Sequence, residues 1–384
     1  MTRLLASLLL TLALAAACAR NYRLDDTTPI SEPPSDVFRV LWHRKLVQRK
    51  LLDFRPQEWA TAAIDDKGRV FVGSSGGVFF AIDAATDRTI WSREIGAGIS
   101  SVPAIDGVAG LIFVGADDGR IRALDLKTGK QRWSYATQGT VDRTPVFSEG
   151  FVLFTTSEGR IYALDESTGK WRWQYDREVP EGFTIQGYAG VAIQGSTAFT
   201  GFADGMLVAL RVYSGDVVWT RDLSGGKKQF VDVDATPVLM GDTLLTSSYA
   251  GGVYAVSTDT GSIRWQHPVE GASTVAVHDG RIFLTAPKVG VVALDTHGHL
   301  LWRQAVPRGV PSVPVAAGPY LFVAGTEMGL FAVDAASGRL LQYFDPGHGL
   351  SAPPAVNMGY LSTLTNQGHL YLFVVPSLLA QRYY

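Results

Sequence analysis

The sequence predicts an all-β ring, an eight-bladed β-propeller of four-stranded blades, on three observations. One phrase recurs along nearly the whole chain, its tryptophans stand 37 to 46 residues apart, and a strand-like fragment at the front matches an unfinished copy at the back. A helical repeat could share that period. The runs between glycines, such as 120–124 and 152–156, are short and β-rich instead, and none places apolar residues at helical spacing.

Two copies show the phrase best. Gly119-Arg-Ile-Arg-Ala-Leu-Asp-Leu-Lys-Thr-Gly-Lys-Gln-Arg-Trp133 and Gly159-Arg-Ile-Tyr-Ala-Leu-Asp-Glu-Ser-Thr-Gly-Lys-Trp-Arg-Trp173 share glycine, alanine, leucine, aspartate, threonine, glycine and tryptophan in register. Weaker copies end at Trp91, Trp219, Trp265 and Trp302, a seventh has Gln342 in the tryptophan's place, and an eighth starts at Gly368 and stops short. Each phrase reads as a strand ending in Ala-Leu-Asp, a Thr-Gly bend whose glycine supplies positive φ, and an outgoing strand that carries the tryptophan. Two further strands precede it, often opened by a small or β-branched residue and proline, as at Val102-Pro103, Thr144-Pro145 and Thr236-Pro237. The fragment Val37-Phe-Arg-Val-Leu-Trp42 is expected to pair into the C-terminal blade, closing the ring over residues 37–375 and removing its open edge. Residues 376–384 form a tail.

Composition agrees. A chain of 384 residues is long for one ordinary core, and 46% hydrophobic residues, 18% charged residues and 41 glycines suit many short strands joined by tight turns. A net charge of -2 and the absence of clustered arginine and aromatic residues argue against a nucleic-acid partner.

Residues 1–17 have the shape of a signal peptide, with Arg3, an apolar run from Leu4 to Ala17, and small residues before Cys18. Ala-Ala-Ala-Cys18 resembles a bacterial lipobox, with Ala15 where leucine is usual. The resemblance implies a diacylglycerol on Cys18. Ala19 in place of aspartate implies sorting to the outer membrane of a Gram-negative cell, with the protein facing the periplasm. Residues 18–36, polar and containing Pro29, Pro33 and Pro34, read as a solvated tether. Cys18 is the sole cysteine, so an intramolecular disulfide is impossible.

The phrase Ala-Leu-Asp-x-x-Thr-Gly-x-x-x-Trp resembles the repeat of pyrroloquinoline-quinone-type propellers, which include quinoprotein dehydrogenases and non-enzymatic scaffolds. That resemblance covers 37–375, and more specifically the chain resembles the BamB family of outer-membrane assembly lipoproteins, an identification strengthened by Val231-Asp-Val-Asp-Ala-Thr-Pro237 and Tyr249-Ala-Gly-Gly-Val-Tyr-Ala255. The resemblance implies a non-enzymatic scaffold without a cofactor. Its partners would be a BamA-like barrel subunit, nascent outer-membrane β-barrel proteins, and the membrane through the N-terminal lipid. Asp232 and Asp234 match aspartates that help bind the barrel subunit. Being two apart on an extended segment, both carboxylates would point the same way and form an acidic spot for an arginine; alternatively they bond backbone amides and shape the turn. A second patch falls on Phe183, Ile185 and Gln186, where Gln186 replaces the family's arginine, or else this loop packs on its own blade. The connectors leaving Trp173 and Trp219 are among the longest, and long loops on a rigid ring are where binding concentrates.

Other readings compete. A quinoprotein dehydrogenase would hold calcium, a catalytic aspartate and often a vicinal disulfide, and the last is impossible here. A propeller that binds another envelope protein or a polysaccharide fits the repeat equally well. His297 and His299 replace a Thr-Gly bend without the further ligands that a metal needs. Lys227-Lys228 and the group Arg44, Lys45, Arg49 and Lys50 read as solvated faces, the latter near enough to the tether to meet lipid headgroups.

Overall fold

The alanine, aspartate, threonine and tryptophan of the repeated phrase each have a job that the structure makes visible. The computed structural model describes residues 36–47, 57–177, 188–227, 229–306 and 308–380. The expected signal peptide, Cys18 and the expected tether up to residue 35 lie outside them. The described residues form eight four-stranded antiparallel sheets, whose strands are named a to d from the ring's interior outwards. In blade 3 these are Val146–Ser148, Phe151–Thr156, Arg160–Asp165 and Trp171–Asp176. Blades 1 to 7 span 63–94, 104–136, 146–176, 192–222, 238–267, 276–304 and 315–344. Blade 8 is composite: its a, b and c strands come from 355–374, and its d strand is Arg39–Lys45, antiparallel to His369–Val374. The expected closure is thus observed. A short helix, Pro376–Ala380, opens the tail.

Ala163 is small because Trp173 stands directly across from it, and the corresponding alanine faces the tryptophan in blades 1, 2, 4, 5 and 6. A bulge follows at the next residue, which increases the local twist of the outer strand. Asp165 fastens the bend, its Oδ1 accepting from Thr168 N at 2.9 Å and Thr168 Oγ1 at 2.7 Å. The tryptophan then joins blade to blade. Trp133 Nε1 donates to Glu166 O at 2.9 Å, Trp173 Nε1 to Val212 O at 2.8 Å, and Trp91, Trp219, Trp265 and Trp302 bond the same position of the blade that follows each.

The composite blade completes this series in a way the repeat count did not reveal. Trp42, on the closing strand, is its docking indole, with Nε1 donating to Ala84 O of blade 1 at 2.7 Å. Gln342 meets the closing strand itself: Oε1 accepts from Val37 N at 2.8 Å and Phe38 N at 2.9 Å, and Nε2 donates to Phe38 O at 2.9 Å. Apolar packing follows the same plan. Buried clusters sit between neighbouring blades, as in Phe113, Trp133, Val152 and Phe154 between blades 2 and 3, or Phe38, Phe322, Leu361 and Phe373 at the closure. The length that seemed too great for one core is therefore spread over a ring of thin layers.

One seam is polar. At the ring face opposite the blade-to-blade connectors, Asp106 ends an a strand of blade 2 and Glu166 occupies the c–d bend of blade 3, beside a cavity of about 420 Å³ lined by Leu111, Arg132, Asp165 and Ser167. Burial, and then the Asp106 carboxylate, push the Glu166 carboxyl up to about 7. Burial alone would also raise Asp106, but hydrogen bonds from Glu166 and the Ala109 and Val108 amides hold it below its ordinary value. The nearby arginines are engaged elsewhere, Arg132 with Asp125 at 2.7 Å and Arg172 with Asp165 at 2.5 Å. Since the folded Glu166 binds its proton more tightly than the unfolded chain, stability falls as pH rises from about 4.5 to about 7. Glu166→Gln is expected to flatten this slope and, at pH 8, to exceed the parent by about 1 to 2 kcal/mol, solvent at the half-buried carboxyl screening part of the shift. Denaturant melts at pH 5 and pH 8 check it; equal pH dependence in the two proteins would refute the raised Glu166 carboxyl.

Candidate functional site

The connectors that leave each d strand for the next a strand gather with the b–c turns on one face of the ring. Several are clamped there by a backbone bond: Asp117 N to Gly98 O at 2.9 Å, Ser157 N to Thr140 O at 3.1 Å, and Tyr249 N to Asp232 O at 3.2 Å. These clamps fix where the connector side chains point.

The two aspartates differ sharply in this setting. Asp232 is 0% exposed and lies between buried Val231 and Val233, whose amide donates to Phe202 O at 3.1 Å. The expectation of two carboxylates sharing one exposed side is corrected accordingly. Period-two geometry holds for a straight strand, whereas this connector turns inward and buries consecutive residues. Asp234 stays partly accessible, and burial raises its carboxyl above the ordinary value against the opposing charge of Arg143, with Asp232 adding a smaller push.

Arg143 belongs to blade 3, and the network it builds reaches across blades 3, 4 and 5. Its Nε donates to Tyr188 O at 3.0 Å and its guanidinium lies 5.2 Å from the centroid of the Tyr188 ring. The Tyr188 hydroxyl donates to Asp142, whose carboxylate is 4.0 Å from Arg143. Burial, followed by the Asp142 charge, raises the Tyr188 phenol well above its usual value, so it remains a donor at neutral pH. Asp142, Tyr188 and Asp234 occupy one repeat position, four residues before the start of pairing in the a strands of blades 3, 4 and 5.

Sequence reasoning missed Arg143, although the repeat contained the signal. Three residues before the same pairing start stand Ala60, Ser101, Ala189, Ala235, Ser273, Ser312 and Ala352 in the other seven blades. An arginine at a position that holds alanine or serine in every other blade marks this seam as unlike the rest.

The remaining candidates are separate from this cluster. Phe183, Ile185 and Gln186 lie outside the described residues, as do Lys228, Arg49 and Lys50. Lys227 Nζ donates to Ala250 O at 2.9 Å, and Arg44 pairs with Asp87 at 2.9 Å across the junction of blades 8 and 1. His299 Nδ1 lies 3.0 Å from Asp295 Oδ2, and the same aspartate accepts from the His297 and His299 amides, so these histidines shape a bend. Among the described residues no group of three or more metal-ligating side chains converges.

Comparison with known proteins adds what geometry leaves open. The family model for outer membrane protein assembly factor BamB matches residues 39–125, 107–297 and 287–373. The factor of that name from Vibrio cholerae is 29% identical over 309 residues, covering 78% of this chain and 80% of its own length. Those from Yersinia pestis and Kangiella koreensis are 27% and 24% identical over stretches covering 60% and 52% of this chain. The chain spans only 60% and 54% of those two relatives. Among solved structures, BamB from Moraxella catarrhalis superposes with a TM-score of 0.76 at 23% identity, covering 88% of this chain and 100% of that one. A quinohemoprotein alcohol dehydrogenase from Comamonas testosteroni gives a TM-score of 0.66 at 18% identity over 88% of this chain and 76% of its own, a likeness of fold alone. With the family model matching from the closing strand to the last blade, the chain belongs to the outer membrane protein assembly factor BamB family.

Proposed function

We propose that this protein is a non-enzymatic scaffold of outer-membrane protein assembly, anchored in the outer membrane through a lipid on Cys18 and facing the periplasm. Its partner is a BamA-like barrel subunit, with nascent outer-membrane β-barrel proteins as the clients of the complex. The observation that carries this reading is the partly accessible Asp234 set in the network of Asp142, Arg143 and Tyr188 on the connector face. A half-buried carboxylate with restricted solvent access, backed by a rigid ring, suits an incoming arginine; charge-assisted bonds there gain strength from partial desolvation. Phe183, Ile185 and Gln186 are further partner-binding residues in this proposal, and the buried Asp232 serves by fixing the connector's path. The mechanism is positional: the ring holds the barrel subunit and does no bond chemistry.

The test is binding of the lipidated full chain to the purified barrel subunit of the same organism. Asp234→Asn is expected to weaken it about tenfold, equivalent to about 1.4 kcal/mol, with the melting temperature unchanged. No binding by the wild-type chain would end this reading.

A further inference from the structure

Left-handed backbone recurs in the connectors, and the repeat normally meets it with glycine. Gly96 (φ 80°) and Gly347 (φ 77°) each lie two residues before the carbonyl clamped by a b–c turn, namely Gly98 under Asp117 N and Gly349 under Asn366 N, both at 2.9 Å. In the connector into blade 5 the clamped carbonyl is that of Asp232, and the residue two before it is Phe230, with φ 54°. A bulky aromatic in this region is an outlier that glycine would relieve.

Phe230 belongs to none of the buried clusters that join the blades. Its side chain is 43% exposed and leans on Tyr249, with ring centroids 6.0 Å apart. Tyr249 stands in the b–c turn where other clamped turns carry Asp117, Ser157, Thr326 and Asn366, so both members of this aromatic pair depart from the repeat. The pair lies on the same connector face as Asp234 and Asp142, while nearby Lys227 is tied to Ala250 O. An exposed aromatic step on the same face as these carboxylates matches a segment that brings both an apolar side chain and an arginine. Strain kept at an exposed aromatic marks a site where something other than folding selects the residue.

We infer that Phe230, supported by Tyr249, is the apolar anchor of the docking surface and receives an apolar side chain of the barrel subunit adjacent to the arginine that Asp234 meets. This rests on the function proposed above. It separates Phe230 from a structural role, because the two roles give opposite effects on stability.

The experiment measures the affinity of the purified barrel subunit for the lipidated full chain, and the chain's melting temperature, in wild type, Phe230→Gly and Phe230→Asn; glycine and asparagine both tolerate left-handed backbone. Both variants are expected to weaken binding at least about tenfold. Their melting temperatures are expected to stay the same or rise by about 1 to 2 °C, relief of strain offsetting the lost ring contact. Affinity within about twofold of wild type, or a fall of more than about 5 °C in both variants, would overturn the inference and leave the proposed function standing. Failure of the wild-type chain to bind would remove both.

Discussion

Gln342→Ala is expected to open the ring at one place and leave the other seams closed. The substitution removes an acceptor shared by the Val37 and Phe38 amides and a donor to Phe38 O, all at 2.8 to 2.9 Å. Each backbone group stranded in that seam costs about 1 to 3 kcal/mol, and partial relaxation brings the total to about 3 to 5 kcal/mol. Phe38→Ala attacks the same junction from its apolar side. Phe38 is 2% exposed, with its ring 5.1 Å from that of Phe373 and 6.3 Å from that of Phe322, and truncation there costs about 3 to 5 kcal/mol. Hydrogen exchange resolved along the chain should show 36–45 released well before blades 2 to 6. Gln342→Trp, which restores the residue of the repeat, is expected to fail as well, since one indole donor cannot satisfy two amides. Uniform loss of protection over all blades, or a cost under about 1 kcal/mol for Gln342→Ala, would show that the closure is not held this way.

The reason for this exception lies in how the ring closes. Elsewhere a tryptophan bonds the carbonyl at the c–d bend of the next blade, as Trp133 does at Glu166. Blade 8 has no such bend, because its d strand arrives from the other end of the chain. Where a bend carbonyl would be, the entering backbone offers two amides and a carbonyl, and a carboxamide matches them. The sequence already displayed both departures, a missing tryptophan at 342 and a tryptophan in the orphan strand at 42. Blade number and closure were legible from these fragments. The chemistry of the junction was not, since it depends on which backbone groups face residue 342, and a one-dimensional repeat does not contain that.

The candidate site was legible only in part, for a related reason. Val231-Asp-Val-Asp stood out because no other blade carries it, and one of its two aspartates does reach the accessible face. Reading the segment as extended assigned both carboxylates to one side; the inward turn at Val233 buries Asp232. Arg143 went unnoticed because it sits in a copy that otherwise obeys the repeat, and Phe230 because the aspartates beside it drew the attention. Both appear once the eight blades are aligned on their pairing registers, Arg143 among alanines and serines and Phe230 in register with the left-handed Gly96 and Gly347 of two other blades. In a ring built by repetition, the needs common to all blades are written eight times, so a residue written once answers either the closure, as Gln342 does, or something outside the ring.

The seams that position these residues make the second large prediction, Gly169→Ala against Gly150→Ala. Both glycines are left-handed, with φ 70° and φ 79°, so alanine pays the same local strain of about 1 kcal/mol at each. Their surroundings differ. A Cβ on Gly169 would lie 2.5 Å from ring carbons of Trp133, whereas one on Gly150 would meet nothing within 4 Å. Trp133 cannot retreat without losing its bond to Glu166 O and its packing on Phe113, so the two blades must separate. Gly169→Ala is therefore expected to cost more than about 3 kcal/mol and Gly150→Ala about 1 kcal/mol, the difference isolating the seam. Denaturant midpoints at unchanged slope provide the measure. Because the connector carrying Asp142 and Arg143 leads from blade 2 into blade 3, Gly169→Ala should also weaken the proposed binding of a barrel subunit, while Gly150→Ala leaves it alone. Equal costs for the two substitutions would mean that the indole yields freely and that the tryptophan seams do not hold the connector face in place.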